Sequence, residues 1–173
     1  GTCTLITKGA LNKILPICER LVEHGVERTL EKEALDAINA LYEAWSSQGY
    51  RVLGVASKPI DAKAEADYVV DDEQDMAFDG FLLFLDQPKT DIQQTIADLK
   101  KLNVSLRIIT GDNALIARHV AETVGMKADR ILTGAEIMAL DDEGLRAAAD
   151  AADMFAEVDP LKQAIATGVC RIQ

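Results

Sequence analysis

The chain is 173 residues long, the size of one ordinary domain or of two small ones joined by a short hinge. Hydrophobic residues make up 49% and charged residues 27%, which excludes wholesale disorder, and no apolar run approaches the roughly 20 residues that cross a bilayer. The net charge of -11 repels a phosphate backbone, so no nucleic-acid partner is expected.

No basic segment followed by an apolar stretch opens the sequence, so no signal peptide is expected. Cys3, Cys18 and Cys170 are odd in number and lack Cys-x-x-Cys spacing. They read as buried thiols of a reducing cytosol rather than as a disulfide framework or a zinc site. His24 and His119 have no closely spaced cysteine partners, a poor basis for a metal site. Composition therefore describes a soluble, acidic, intracellular chain and leaves its activity open.

In chain order, Thr4-Leu5-Ile6-Thr7 is an apolar, β-branched run that reads as a strand ending in a turn at Lys8-Gly9-Ala10. Leu11, Ile14, Leu15, Cys18, Leu21 and Val22 fall on one face of a predicted helix, with Pro16 starting or kinking it. Glu23 to Arg28 reads as a turn. Ala34, Ile38, Leu41, Tyr42 and Trp45 form the stripe of a second helix, which Gly49 closes. Arg51–Ala56 and Gly80–Leu85 read as strands. Between them Asp71-Asp72-Glu73-Gln74-Asp75 has neither metal-loop spacing nor a glycine turn, so a solvated loop is the plain reading.

From Asp86-Gln87-Pro88-Lys89 the texture changes, and Pro88 stiffens a crossing between two lobes. A helix through Ile92, Ile96, Leu99 and Leu102 leads to a strand at Val104–Ile109 and then to Thr110-Gly111-Asp112-Asn113. A helix carrying Leu115, Ile116, Val120 and Val124 stops at Gly125. A short segment at Arg130–Leu132, an Ala-rich helix from Glu143 to Ala152, a strand at Met154–Val158 and a helix opened by Pro160 complete the series. Strands alternating with helices predict right-handed β-α-β units and a mostly parallel sheet.

Thr110-Gly111-Asp112 sits where a strand ends and a helix begins, the place where open α/β sheets bind ligands. A threonine hydroxyl and helix-terminal N–H groups there can hold a phosphate, and the carboxylate can orient magnesium or its water shell. The alternative is that Asp112 caps the following helix. Lys8 beside Gly9 can reach a nucleotide and Arg51 can pair with a phosphate; solvated surface cations are the plainer alternatives for both. His119 has no carboxylate one turn away to make it a base. Gly-x-Gly-x-x-Gly, Gly-x-x-x-x-Gly-Lys-[Ser/Thr], Gly-x-Ser-x-Gly and His-Glu-x-x-His are absent.

In this order TLITKGA (4–10), GYRVLGVASK (49–58), DGFLLFLDQPK (79–89), SLRIITGDN (105–113) and FAEVDP (155–160) resemble the cytoplasmic part of a P-type cation-transporting ATPase, most similar to the magnesium-transporting branch. The resemblance implies an α/β fold: residues 1–85 as the later part of a nucleotide-binding domain and 86–89 as a hinge with Asp86, Pro88 and Lys89. It implies 90–173 as part of a haloacid-dehalogenase-like phosphorylation domain. Lys8 with Gly9, and Arg51, match nucleotide-binding positions; Thr110, Gly111 and Asp112 match the catalytic positions around the transferred phosphoryl group and Mg2+. ATP is the implied ligand. The actuator and transmembrane domains are the implied partners, on the cytoplasmic side of the cell membrane.

Departures from the family pattern accompany the matches. The Asp-Lys-Thr-Gly-Thr that takes the phosphoryl group and the Gly-Asp-Gly-x-Asn-Asp motif do not occur here. The hinge reads DQPK, and Gln163 stands where the family has a phosphate-binding lysine, with Lys162 one position earlier. The chain alone is therefore not expected to form the aspartyl-phosphate. Self-association through an open sheet edge is a further expectation. The competing readings are a stand-alone haloacid-dehalogenase-like phosphatase, which needs an Asp-x-Asp nucleophile the opening segment does not offer, and a non-catalytic α/β binding module.

Overall fold

A computed structural model describes residues 2–61 and 69–159; the predicted helix after Pro160 lies outside them. The fold is mixed α/β. It divides into two compact units, one formed by Gly1–Trp45 with Arg51–Phe84 and the other by Ser46–Tyr50 with Leu85–Gln173.

The first unit is a five-stranded sheet in the order β1-β4-β5-β2-β3, where β1 is Thr2–Ala10, β2 Cys18–Glu23, β3 Val26–Thr29, β4 Arg51–Asp61 and β5 Met76–Phe84. The expectation of a mostly parallel sheet fails here: β1–β4, β4–β5 and β2–β3 run antiparallel, and only β2–β5 is parallel. The helix expected over 11–22 also gives way. Helix α1 covers only Leu11–Ile14, a 3-10 turn follows at Leu15–Ile17, and Cys18 begins a strand. Pro16 supplies no N–H to continue a helix, and Cys18 is already extended at φ -105 and ψ 127. The turn to β3 is made by His24 and Gly25, both at positive φ (51 and 79), the pairing that two-residue hairpins favour.

Helix α2 (Lys32–Ser47) and α1 cover one face of this sheet. The core there comprises Leu11, Ile14, Cys18, Ile38, Ala56, Met76 and Phe78. A register shift opposite Val55 and Ala56 inserts Asp79, so Phe78 and Phe81 both turn inward. Their rings meet edge-on at 5.2 Å, and Phe81 meets Trp45 of α2 at 5.1 Å. Gly54 is the notch that admits α1: a Cβ there would stand 3.2 Å from Ile14 and 3.3 Å from Leu11.

The second unit has the parallel sheet the sequence predicts, in the order β6-β8-β7, with β6 at Ile108–Ile109, β7 at Ile131–Thr133 and β8 at Met154–Ala156. Helices α3 (Ile92–Lys101), α4 (Ala114–Thr123), α5 (Gly134–Ala139) and α6 (Asp142–Ala151) surround it. The central strand β8 alternates between two cores. Met154 and Ala156 pack with Ala117, Ala121 and Ala128 on the α4 side, and Phe155 packs with Leu132, Ile137, Leu145 and Ala149 on the other. The strand predicted over 104–109 is shorter than expected, since only Ile108 and Ile109 have partners on β8. Among the described residues β6 pairs with β8, which is three residues long, and Val104–Arg107 lead into the ladder without joining it.

Candidate functional site

In the first unit, the register decides which predicted residues share a face. Lys8 pairs with Val55, Ala10 with Leu53 and Ile6 with Ser57; Val55 pairs with Gly80, Leu53 with Leu82 and Arg51 with Phe84. Side chains alternate along a strand, and Val52, Gly54 and Ala56 face the helices. Lys8 and Arg51 therefore stand together on the opposite face, which α1 and α2 do not cover. They are four positions apart in the β4 register, roughly 13 Å along the strand. Between them lie Leu53 and Val55, flanked by Leu82, 39% exposed, with Phe84, 48% exposed, opposite Arg51. Gly80, at φ +145, leaves open space beside Val55.

Gly9 is not part of this group. It faces the helix side, where a Cβ would lie 3.5 Å from Ile14, an ordinary van der Waals contact. Sequence reasoning also missed Leu53 and Leu82, although the period-2 pattern of Arg51-Val52-Leu53 holds the signal. A cavity of about 370 Å³ borders Lys8 and Gly9 together with Thr7, Lys13, Asp71 and Glu73. The acidic loop thus bounds a cavity wall and contains a 3-10 turn at Val70–Asp72. Among the described residues no group of three or more His, Cys, Asp or Glu side chains is placed to hold a metal ion.

In the second unit Thr110, Gly111 and Asp112 follow β6 directly. The Thr110 hydroxyl donates to the Asp112 carboxylate at 2.9 Å and accepts the Asp112 N–H at 3.1 Å. The N-cap of α4 is Asn113, its side-chain oxygen accepting the Ile116 N–H at 2.9 Å, one position after the Asp112 that the sequence suggests. The Asn113 amide donates to the Ser46 hydroxyl at 3.1 Å, and Ser46 is fully buried.

The turn is also tied to the segment after β8. The Val158 N–H donates to the Thr110 carbonyl at 3.1 Å and the Glu157 N–H to the Asp112 carbonyl at 2.9 Å, with Glu157 at φ 59. Gly111 is exposed, and a Cβ there would meet only the Val158 carbonyl at 3.6 Å. The fold thus holds a hydroxyl and a carboxylate side by side at the C-terminal end of a parallel strand, with a glycine between them.

Asp86, Pro88 and Lys89 lie in the exposed segment between β5 and α3, which has no regular structure; the Lys89 carbonyl accepts the Ile92 N–H at 3.2 Å. Cys18 is buried, and its thiol donates to the Ile14 carbonyl at 3.1 Å. Burial first, and the Asp79 charge second, push that thiol up to about 11. Cys3 is exposed, contrary to the reading of all three cysteines as buried. No helix among the described residues is long and apolar enough to cross a membrane.

Comparison with known proteins matches residues 1–91 to the family model for the P-type ATPase cytoplasmic domain N. The chain is 34% identical over 164 residues to "Magnesium-transporting ATPase, P-type 1" of Escherichia coli K12 and of Salmonella typhimurium LT2. It is 30% identical over 163 residues to "Calcium-transporting ATPase 1" of Lactococcus lactis. The magnesium-transporting matches cover 94% of this chain and 18% of the relatives, so the chain spans under a fifth of their length. With its nucleotide-domain match extending over more than half its residues, the chain belongs to the P-type ATPase family.

Proposed function

We propose that this chain is the ATP-binding part of a cation pump, probed most directly through the bare face of its first sheet. The observation that carries the reading is the placement of Lys8 and Arg51 on one face with an apolar strip, Leu53, Val55 and Leu82, between and beside them. Cations at two ends of an apolar surface suit a nucleotide: the strip accepts the base and ribose, Arg51 pairs with phosphate oxygens and Lys8 supplies a second positive charge. Gly80 leaves room there. Gly9 adjoins Lys8 on β1 and turns to the opposite face of the sheet.

On this reading residues 1–85 are the later part of the nucleotide-binding domain, 86–89 the hinge and 90–173 part of a haloacid-dehalogenase-like phosphorylation domain. Thr110 and Asp112 would meet the transferred phosphoryl group: the hydroxyl, released from Asp112, would donate to a phosphoryl oxygen, and the carboxylate would hold the water shell of Mg2+, which would supply positive charge against the phosphates. Magnesium would reach the site as the Mg·ATP complex. In the whole pump an aspartate outside these residues attacks the γ-phosphorus, the bond to the β–γ bridging oxygen breaks and ADP leaves. Mg2+ is the proposed cargo, by similarity to the magnesium-transporting relatives. The pump places this part on the cytoplasmic side of the membrane, joined to its actuator and transmembrane domains. The outer edge of β1 is where a further strand pairs, from the rest of the pump or from a second copy.

An NMR titration of the labelled chain with Mg·ATP tests this reading. Saturable shifts around Lys8, Leu53 and Arg51, weakened about tenfold or more by Lys8→Ala, are expected, without steady ATP hydrolysis. Shifts confined to the helix-bearing face, or turnover by the chain alone, would overturn it.

A further inference from the structure

The second unit has a cavity of about 460 Å³ at the end of its sheet opposite Thr110–Asp112. That volume lies within the range of small-molecule pockets. One wall is apolar: Ile96 of α3, Val104 and Leu106 of the lead into β6, and Met126 after α4. Val104 and Leu106 are 45% and 41% exposed, so this apolar surface is open to solvent rather than closed into the core.

The charges around it are unevenly committed. Arg107 donates to the Ala149 carbonyl at 2.9 Å and to the Asp150 carbonyl at 3.3 Å, closing the end of α6. The Asp153 carboxylate accepts the Arg130 N–H at 3.0 Å, and Asp150 has an interaction of its own. Lys100 and Lys127 line the same cavity, and their ammonium groups form no ion pair or hydrogen bond among the described residues. Lys100 in the last turn of α3 offsets that helix's dipole. Lys127 lies beyond α4, whose end is closed by the Gly125 and Met126 N–H groups, so helix capping does not account for it.

We infer that this cavity takes a small amphipathic anion. Its hydrocarbon part lies on Ile96, Val104, Leu106 and Met126, and its carboxylate, sulfate or phosphate head turns toward Lys100 and Lys127. Residues at the ends of α3, α4 and α6 also line the cavity, and the dipoles there disfavour negative charge, so the head is held where the two ammonium groups are. This site is separate from the nucleotide face and does not depend on the reading given to that face. A free organic acid and the headgroup of an anionic lipid share this chemistry.

Octyl sulfate below its micelle concentration, titrated into the labelled 173-residue chain, tests the inference by NMR. Saturable shifts at residues 100–107 and 125–127 are expected, and Lys100→Gln with Lys127→Gln weakens binding about tenfold in a chain that stays folded, its melting temperature lowered only slightly by the lost charge at the end of α3. Uncharged octyl glucoside binds far more weakly. Equal binding of octyl glucoside, shifts elsewhere in the chain, or undiminished affinity in the double variant would overturn it. Flotation with phosphatidylglycerol vesicles separates the sources: co-flotation that the double variant loses marks a lipid headgroup, and octyl sulfate binding without flotation marks a free acid.

Discussion

At the scale of single residues, the turn after β6 divides its work among neighbours. Asn113 supports the helix, Thr110 and Asp112 hold one another, and Gly111 is exposed with ordinary room for a methyl group. Asn113→Ala removes a cap and lowers stability by about 1 kcal/mol, measured by urea unfolding. Gly111→Ala leaves the unfolding midpoint nearly unchanged, so any loss of phosphate binding in that variant reports contact with a ligand and not damage to the fold. Cys18 and Cys3 give a second contrast. The buried Cys18 thiol, raised from an ordinary 9.0 to about 11, has a thiolate fraction at pH 8 about a hundredfold below that of an ordinary thiol, and with its burial it alkylates at least tenfold more slowly than exposed Cys3. The folded chain holds that proton more tightly than the unfolded one. The corresponding stability is complete below pH 9 and is lost as pH rises toward 11.

At the scale of elements, legibility followed periodicity and its interruptions. Ala34 to Trp45 repeats at helical spacing and forms α2, and Gly49 at φ 86 closes it. Leu11 to Val22 also repeats at helical spacing, yet Pro16 breaks the ladder and Cys18–Glu23 finds strand partners on both sides, an outcome set by tertiary pairing rather than local pattern. The face that carries Lys8 and Arg51 was half legible: both stood out as cations at strand ends, whereas their sharing a face depends on a register that local pattern does not specify. Helix α5 was missed although Thr133-Gly134-Ala135-Glu136 is a capping box. The Thr133 N–H and hydroxyl both donate to the Glu136 carboxylate, at 2.8 and 2.7 Å. The backbone bond first, and the hydroxyl second, hold that carboxyl below its usual range. This contribution is present above the ordinary glutamate range and is lost as pH falls through the lowered value. Thr133→Ala costs about 1 kcal/mol, and its effect shrinks in acid; unfolding at neutral pH and near pH 3 checks both statements.

At the scale of the whole molecule, the core residues fall into separate groups. Leu11, Ile14, Cys18, Ile38, Ala56, Met76 and Phe78 belong to the first unit, and the clusters on either side of β8 belong to the second. Gly54 tests what that separation means energetically. A methyl group there would meet the Cβ and Cγ2 of Ile14 at 3.2 Å and the Cδ1 of Leu11 at 3.3 Å. The Cβ of Ile14 is fixed to the backbone of α1 and cannot swing away, so α1 must lift from the sheet. Overpacking of this kind costs about 1–3 kcal/mol. Gly54→Ala should therefore speed hydrogen exchange at the amides of β1, β4 and β5 by roughly 5- to 150-fold, the factor that this free energy implies. Amides of β8, buried between its own two cores, should keep their protection. Equal acceleration in β8 would mean that the two units unfold as one cooperative body, whereas acceleration confined to the first sheet would establish that each core carries its own stability. Because β1 and β4 also carry Lys8 and Arg51, the same variant should weaken Mg·ATP binding at that face while leaving octyl sulfate binding in the second unit unchanged.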